Sequence, residues 1–114
     1  MQNQKIIDTL KNKGFEIVET KQVEGIEPKF VSKIVFENEV IKYDISITHD
    51  DTPRGFIKAF TDYAKTFSVE SYVEMCLRHK GEEGWPNMRE AIYQADMIKS
   101  NLQLEAFQLL YLNA

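Results

Sequence analysis

The chain has a single cysteine, Cys76, only two histidines, His49 and His79, and nowhere a run of about 18 apolar residues. Each scarcity excludes something. Without a second thiol no disulfide framework forms within the chain, which predicts a reducing compartment, the cytoplasm. Two histidines and one cysteine cannot supply CxxC or HExxH spacing, so neither a structural zinc nor any other cofactor is expected. The apolar stretch at Ile6-Ile7 is too short for a signal peptide, and no segment is long enough to cross a bilayer. GxxxxGK[ST] and GxGxxG loops are missing too, and with them the usual signals of nucleotide binding. There is no internal repeat, low-complexity tract or linker, so residues 1–114 read as one domain.

What is present suits a globular chain. Of its 114 residues 43% are hydrophobic and 28% charged, and folding a chain of this size buries roughly two-thirds of its surface. The formal net charge is −4, which argues against non-specific binding to nucleic acid, because such binding depends on cations that neutralise phosphates. The acidic excess lies mainly in residues 1–52, with seven Lys or Arg against ten Asp or Glu.

The periodicity changes along the chain and predicts an α+β fold. Asn3 reads as an N-cap, Ile6, Ile7 and Leu10 share a helical face, and Gly14 suits a left-handed helix end. From Phe15 the residues are strand-like as far as Val23, followed by the turn formers Gly25 and Pro28. Lys29 to Glu37 alternates as a central strand with both faces partly covered. After a tight connection at Asn38-Glu39, Val40 to Thr48 turns Ile41, Tyr43, Ile45 and Ile47 to one side. Three antiparallel strands in a meander follow from these short connections.

The second half is helical. Thr52 caps and Pro53 opens a helix whose Phe56, Ile57, Phe60, Tyr63, Ala64 and Phe67 recur at spacings that cover one face of the meander. Ser68 caps a third helix ending at Gly81. From Asn87 to about Leu112 the pattern is helical again, and Ser100-Asn101-Leu102-Gln103 resembles a capping box, which leaves open whether the run is one bent helix or two. The closing residues Leu102, Leu104, Phe107, Leu109, Leu110, Tyr111 and Leu112 are apolar on more than one face, which one layer of packing cannot cover.

Four patterns carry candidate chemistry. His49-Asp50 has the form of a metal-binding HD pair, but Asp50 and Asp51 also stand where negative charge favours the start of a helix. Glu19-Thr20-Lys21 has the ExK spacing of metal-dependent nucleases, in which a carboxylate holds Mg²⁺ and the lysine steadies a water. No acidic residue on an earlier strand completes that set. A meander brings its first turn and the exit of its third strand to one end, so Glu24, Glu27, Asp50 and Asp51 are expected to gather as an acidic rim facing a basic partner. Trp85, between Gly84 and Pro86, is either an exposed anchor for a partner or a lid over a helix junction.

The strings Leu10-Lys11-Asn12-Lys13-Gly14-Phe15, Tyr43-Asp44-Ile45-Ser46 and Phe56-Ile57-Lys58-Ala59-Phe60, in the order helix, three strands, helix, resemble the small phage-encoded type II-A anti-CRISPR proteins that inhibit Cas9. The resemblance covers the first 67 residues; the helical second half is longer and more apolar, and the chain less acidic. It implies occupation of the DNA-binding surface of Cas9 by mimicry of DNA charge. The function expected is that of a non-catalytic binding or inhibitory accessory protein with a protein partner and no direct contact with nucleic acid. A homodimer built through the apolar C-terminal helix is the alternative, and a small metal-dependent nuclease using Glu19 and Lys21 the third.

Overall fold

A computed structural model describes residues 3–25 and 29–112. Its elements are α1 (Gln4–Asn12), β1 (Phe15–Val23), β2 (Lys29–Glu37), β3 (Lys42–His49), α2 (Pro53–Thr66), α3 (Val69–Arg78) and α4 (Met88–Leu112). The strands form an antiparallel sheet in the order β1-β2-β3. The fold is α+β.

The helix ends follow from local chemistry. The side chains of Asn3, Thr52 and Ser68 accept the backbone N–H groups of Ile6, Gly55 and Ser71, each satisfying a donor that the first turn leaves unpaired. Asn87 does the same for Glu90 at the start of α4. After α1, Gly14 takes φ +89°, and a β-carbon there would lie 2.8 Å from the Glu37 carbonyl oxygen. Only glycine permits this left-handed turn while its own carbonyl accepts the Glu37 N–H at 2.9 Å.

One face of the sheet is covered. Phe15, Ile34, Phe36, Ile45 and Ile47 form a continuous core with Ile6 and Leu10 of α1, Phe56, Ile57 and Phe60 of α2, and Ile98, Leu102 and Leu109 of α4. Phe15 stands at its centre, 4.7 Å from the Phe36 ring and edge-on to Phe60 at 5.6 Å, so sheet and α2 meet through aromatic contacts. Val73 and Cys76 of α3 pack separately with Ala91 and Ala95 of α4.

Two details differ from the sequence reading, and a third decides what it left open. The third strand begins at Lys42, because the Asn38 side chain accepts both the Val40 and the Ile41 N–H and draws that segment into a turn. His49 ends β3 and is buried; it is not a loop residue. The run from Asn87 is undivided: α4 is one helix of 25 residues, in which Asn101 donates its side-chain amide to the Met97 carbonyl at 2.8 Å. Ser100 therefore caps nothing. The turn residue Pro28 lies outside the described residues. No helix among those described is long and apolar enough to cross a membrane.

Candidate functional site

Strand β1 contains a bulge between Ile17 and Glu19. The extra residue, Val18, is exposed, and it reverses the alternation: Phe15 and Ile17 lie on the covered side of the sheet before it, and Thr20, itself exposed, stands on the Ser32 side after it. Thr20 thereby lies opposite Ser32, and their hydroxyls are 2.9 Å apart. Ser32 Oγ is 2.6 Å from His49 Nε2, and His49 Nδ1 is 2.7 Å from the Asp50 carbonyl oxygen. A carbonyl only accepts, so in the neutral ring Nδ1 carries the proton, Nε2 accepts from Ser32, and Ser32 accepts from Thr20. Nucleophile, base and orienting group of a Ser–His pair are thus in order. Yet Ser32 is 1% and His49 6% exposed, with Phe30 stacked on the ring and Phe56 edge-on to it. A substrate has no approach to the Ser32 oxygen, and what the arrangement accomplishes is to satisfy the buried Ser32 and His49, with the exposed Thr20 hydroxyl at its outer end.

The acidic residues are distributed differently. Glu24 is exposed at the end of the sheet where β1 stops, and the register Gln22–Phe30–His49 brings Asp50 to that same end. Asp50 is exposed, and its Oδ1 accepts both the N–H and the hydroxyl of Thr52. The hydroxyl bond above all holds its pKa below the ordinary carboxylate value. Asp51 is exposed beside it, and Glu27 lies outside the described residues. Glu19 points to the open face of the sheet, 3.0 Å from Lys21 Nζ and 3.5 Å from Lys33 Nζ. Its carboxylate is therefore engaged by two lysines. No three His, Cys, Asp or Glu side chains come together as a ligand set for a metal among the described residues.

Trp85 is stacked on a neighbouring side chain and partly exposed. Its ring lies flat on His79, centroids 4.0 Å apart, and His79 Nδ1 is 2.6 Å from Glu82 Oε2; even so the indole remains 38% exposed. It forms one wall of a groove of about 860 Å³ whose other walls include Tyr43, Tyr63, Phe67 and Tyr72. The Tyr43 and Tyr63 hydroxyls share a hydrogen bond of 2.7 Å, and Tyr72 donates to Gln94 at 3.0 Å. Burial first, then that shared bond, raises the pKa of Tyr63, and burial pushes Tyr72 up to about 12. The groove is an aromatic surface with neutral hydroxyls.

Helix α4 has two apolar faces. Ala91, Ala95, Ile98, Leu102, Glu105 and Leu109 are buried at alternating spacings of four and three, the seam of a helix packed along its length. On the outer side Leu104, Phe107, Leu110 and Tyr111 are 49%, 69%, 49% and 78% exposed. Glu105 breaks the inner seam: it is fully buried, and neither carboxylate oxygen has a hydrogen-bond partner. Burial raises its pKa to about 7, opposed by the charge of Lys13.

No protein-family model matches the chain, and neither a curated protein nor a solved structure shows significant similarity to it. Sequence reasoning passed over Glu105, although the four-three spacing from Ala91 to Leu109 runs through it. It also passed over Ser32, whose inward alternation with Ile34 and Phe36 marks a polar group in need of a partner.

Proposed function

We propose that this protein acts by binding another protein, without catalysis, and that the outer face of α4 is its docking surface. One observation carries the reading. Leu104, Phe107, Leu110 and Tyr111, each about half or more exposed, fall on one side of a helix whose opposite side already fills the core. Isolated exposed apolar residues are ordinary, whereas a contiguous set on one helix face is the usual mark of a protein contact. Phenylalanine and tyrosine at its centre are the residue types that anchor interfaces.

The acidic end supports the reading less strongly, because one carboxylate oxygen of Asp50 is engaged by Thr52. Guide-loaded Cas9 is the partner nominated by the resemblance of the first 67 residues, and a second copy of the chain is the other occupant that an apolar helix face suits.

The test is sedimentation equilibrium of the chain alone and mixed with guide-loaded Cas9, repeated with Phe107→Asp and Tyr111→Asp together. Both side chains are exposed, so the fold tolerates the change. Assembly in either sample that the double variant abolishes supports the reading. Assembly unaffected by the double variant, or its absence in both samples, removes it.

A further inference from the structure

Beside the outer face of α4 lies a groove of about 590 Å³, walled on one side by Leu110 and on the other by α2. Along α2 the groove is lined by a row of Arg54, Lys58, Thr61 and Lys65, at successive spacings of four, three and four, with Gly55 and Asp62 beside the row and Asp50 and Thr52 just before the helix. Lys58 is paired with Asp62 at 2.9 Å, whereas neither Arg54 nor Lys65 has an ion-pair partner among the described residues. Thr61, in the middle of the row, is buried with its hydroxyl oxygen unpartnered. In a chain of net charge −4 the groove thus carries three cations against two aspartates, Asp50 and Asp62, with the apolar Leu110 facing them.

We infer that this groove receives an acidic amphipathic helix of a partner protein, its carboxylates on Arg54 and Lys65 and its apolar side chains on Leu110 and Phe107. The inference rests on the reading of α4 as a docking surface and names the chemistry of what docks there. Charge complementarity selects the occupant. Arg54 and Lys65 lie about 16 Å apart along α2, three helical turns, a spacing that carboxylates on one face of a second helix reproduce. A phosphate backbone carries charge at every step and so cannot avoid Asp50 and Asp62 in the same groove, whereas a helix can place carboxylates on Arg54 and Lys65 alone and set neutral side chains against the two aspartates. A membrane surface is broad and flat, and the cations here line a concavity.

The experiment uses the full chain and a fluorescent, alanine-rich helical peptide with Glu at spacings of four, three and four and a neighbouring row of Leu. Anisotropy is expected to show binding of this peptide and none of its Lys-for-Glu counterpart. Arg54→Glu with Lys65→Glu is expected to weaken the acidic peptide by about ten-fold or more and to admit the Lys peptide. Leu110→Ser is expected to weaken whichever peptide is bound. Both charge-reversed side chains are exposed, and an unchanged melting curve confirms the fold.

No binding of the acidic peptide, or binding indifferent to the charge reversal, overturns the inference. So does preferential binding of duplex DNA or of phosphatidylserine vesicles that the reversal abolishes, or a homodimer that it dissociates, since each assigns the groove to another occupant. If the peptide fails while Phe107→Asp with Tyr111→Asp still abolishes assembly, the α4 surface stands and only its occupant is wrong.

Discussion

Gly55 and Asp50 are in such close contact that a β-carbon at position 55 would lie 1.9 Å from the Asp50 carboxylate oxygen. Glycine in the first turn of α2 is thus the condition for the carboxylate to fold back onto Thr52. Alanine is intrinsically the better helix former by about 1 kcal/mol. In this chain Gly55→Ala is nevertheless expected to destabilise, because it displaces Asp50 and disturbs a cap worth roughly 0.5–2 kcal/mol. In an Asp50→Ala background the obstacle is gone, and the same substitution is expected to stabilise by up to about 1 kcal/mol. Urea denaturation of the four proteins in the cycle reads the change of sign; Gly55→Ala with the same effect in both backgrounds refutes it.

Glu105 makes stability depend on pH. Its ordinary pKa of 4.5 is raised to about 7 in the fold, so between these values the folded state holds a proton that the unfolded state has released. Stability therefore falls as pH rises from about 4.5 to about 7 and levels off above, by about 2–4 kcal/mol in all for a shift of this size. Thermal melts at pH 5.5 and pH 8 are expected to differ accordingly after comparison with Glu105→Gln, in which this component is absent and the pH 8 melting temperature higher. A Glu105→Gln profile that matches the parent shows that the carboxylate is not responsible.

The Ser32–His49 bond is expected to be structural in weight. Ser32→Ala removes the donor to the buried Nε2 of His49, a loss of roughly 1–3 kcal/mol, while the exposed Thr20 hydroxyl turns to water. The tautomer is directly observable: nitrogen-15 NMR of the imidazole should find the proton on Nδ1 of His49. A proton on Nε2 instead would reverse the direction of the whole Thr20–Ser32–His49 line.

The Tyr43–Tyr63 hydroxyl pair spans sheet and helix across the aromatic groove. Tyr43→Phe and Tyr63→Phe each remove one partner, and about 0.5–1.5 kcal/mol is expected from either alone. The double substitution is expected to cost little more than one, because both changes break the same bond. Strict additivity in chemical denaturation would mean that the two hydroxyls do not interact.

The sequence by itself determined the elements and the covered face. Local physics suffices for a cap such as Asn3, Thr52 or Ser68, for the turn at Gly14, and for the alternation of Ile41, Ile45 and Ile47, since each depends on residues within a few positions of one another. It also marked the C-terminal helix as too apolar for one layer. Long-range contacts decided the rest. The bulge at Val18 aligned Thr20 with Ser32 and His49 from three different strands, which no spacing along the chain encodes. Whether Ser100 caps or continues α4 depended on the packing of Ile98 and Leu102 into a core shared with α1, α2 and the sheet. The basic row of α2 came to lie beside Leu110 only because α4 packs on α2. Periodicity shows which side of a helix avoids water, but which neighbour it meets, and therefore which charges border what remains exposed, is a property of the assembled chain.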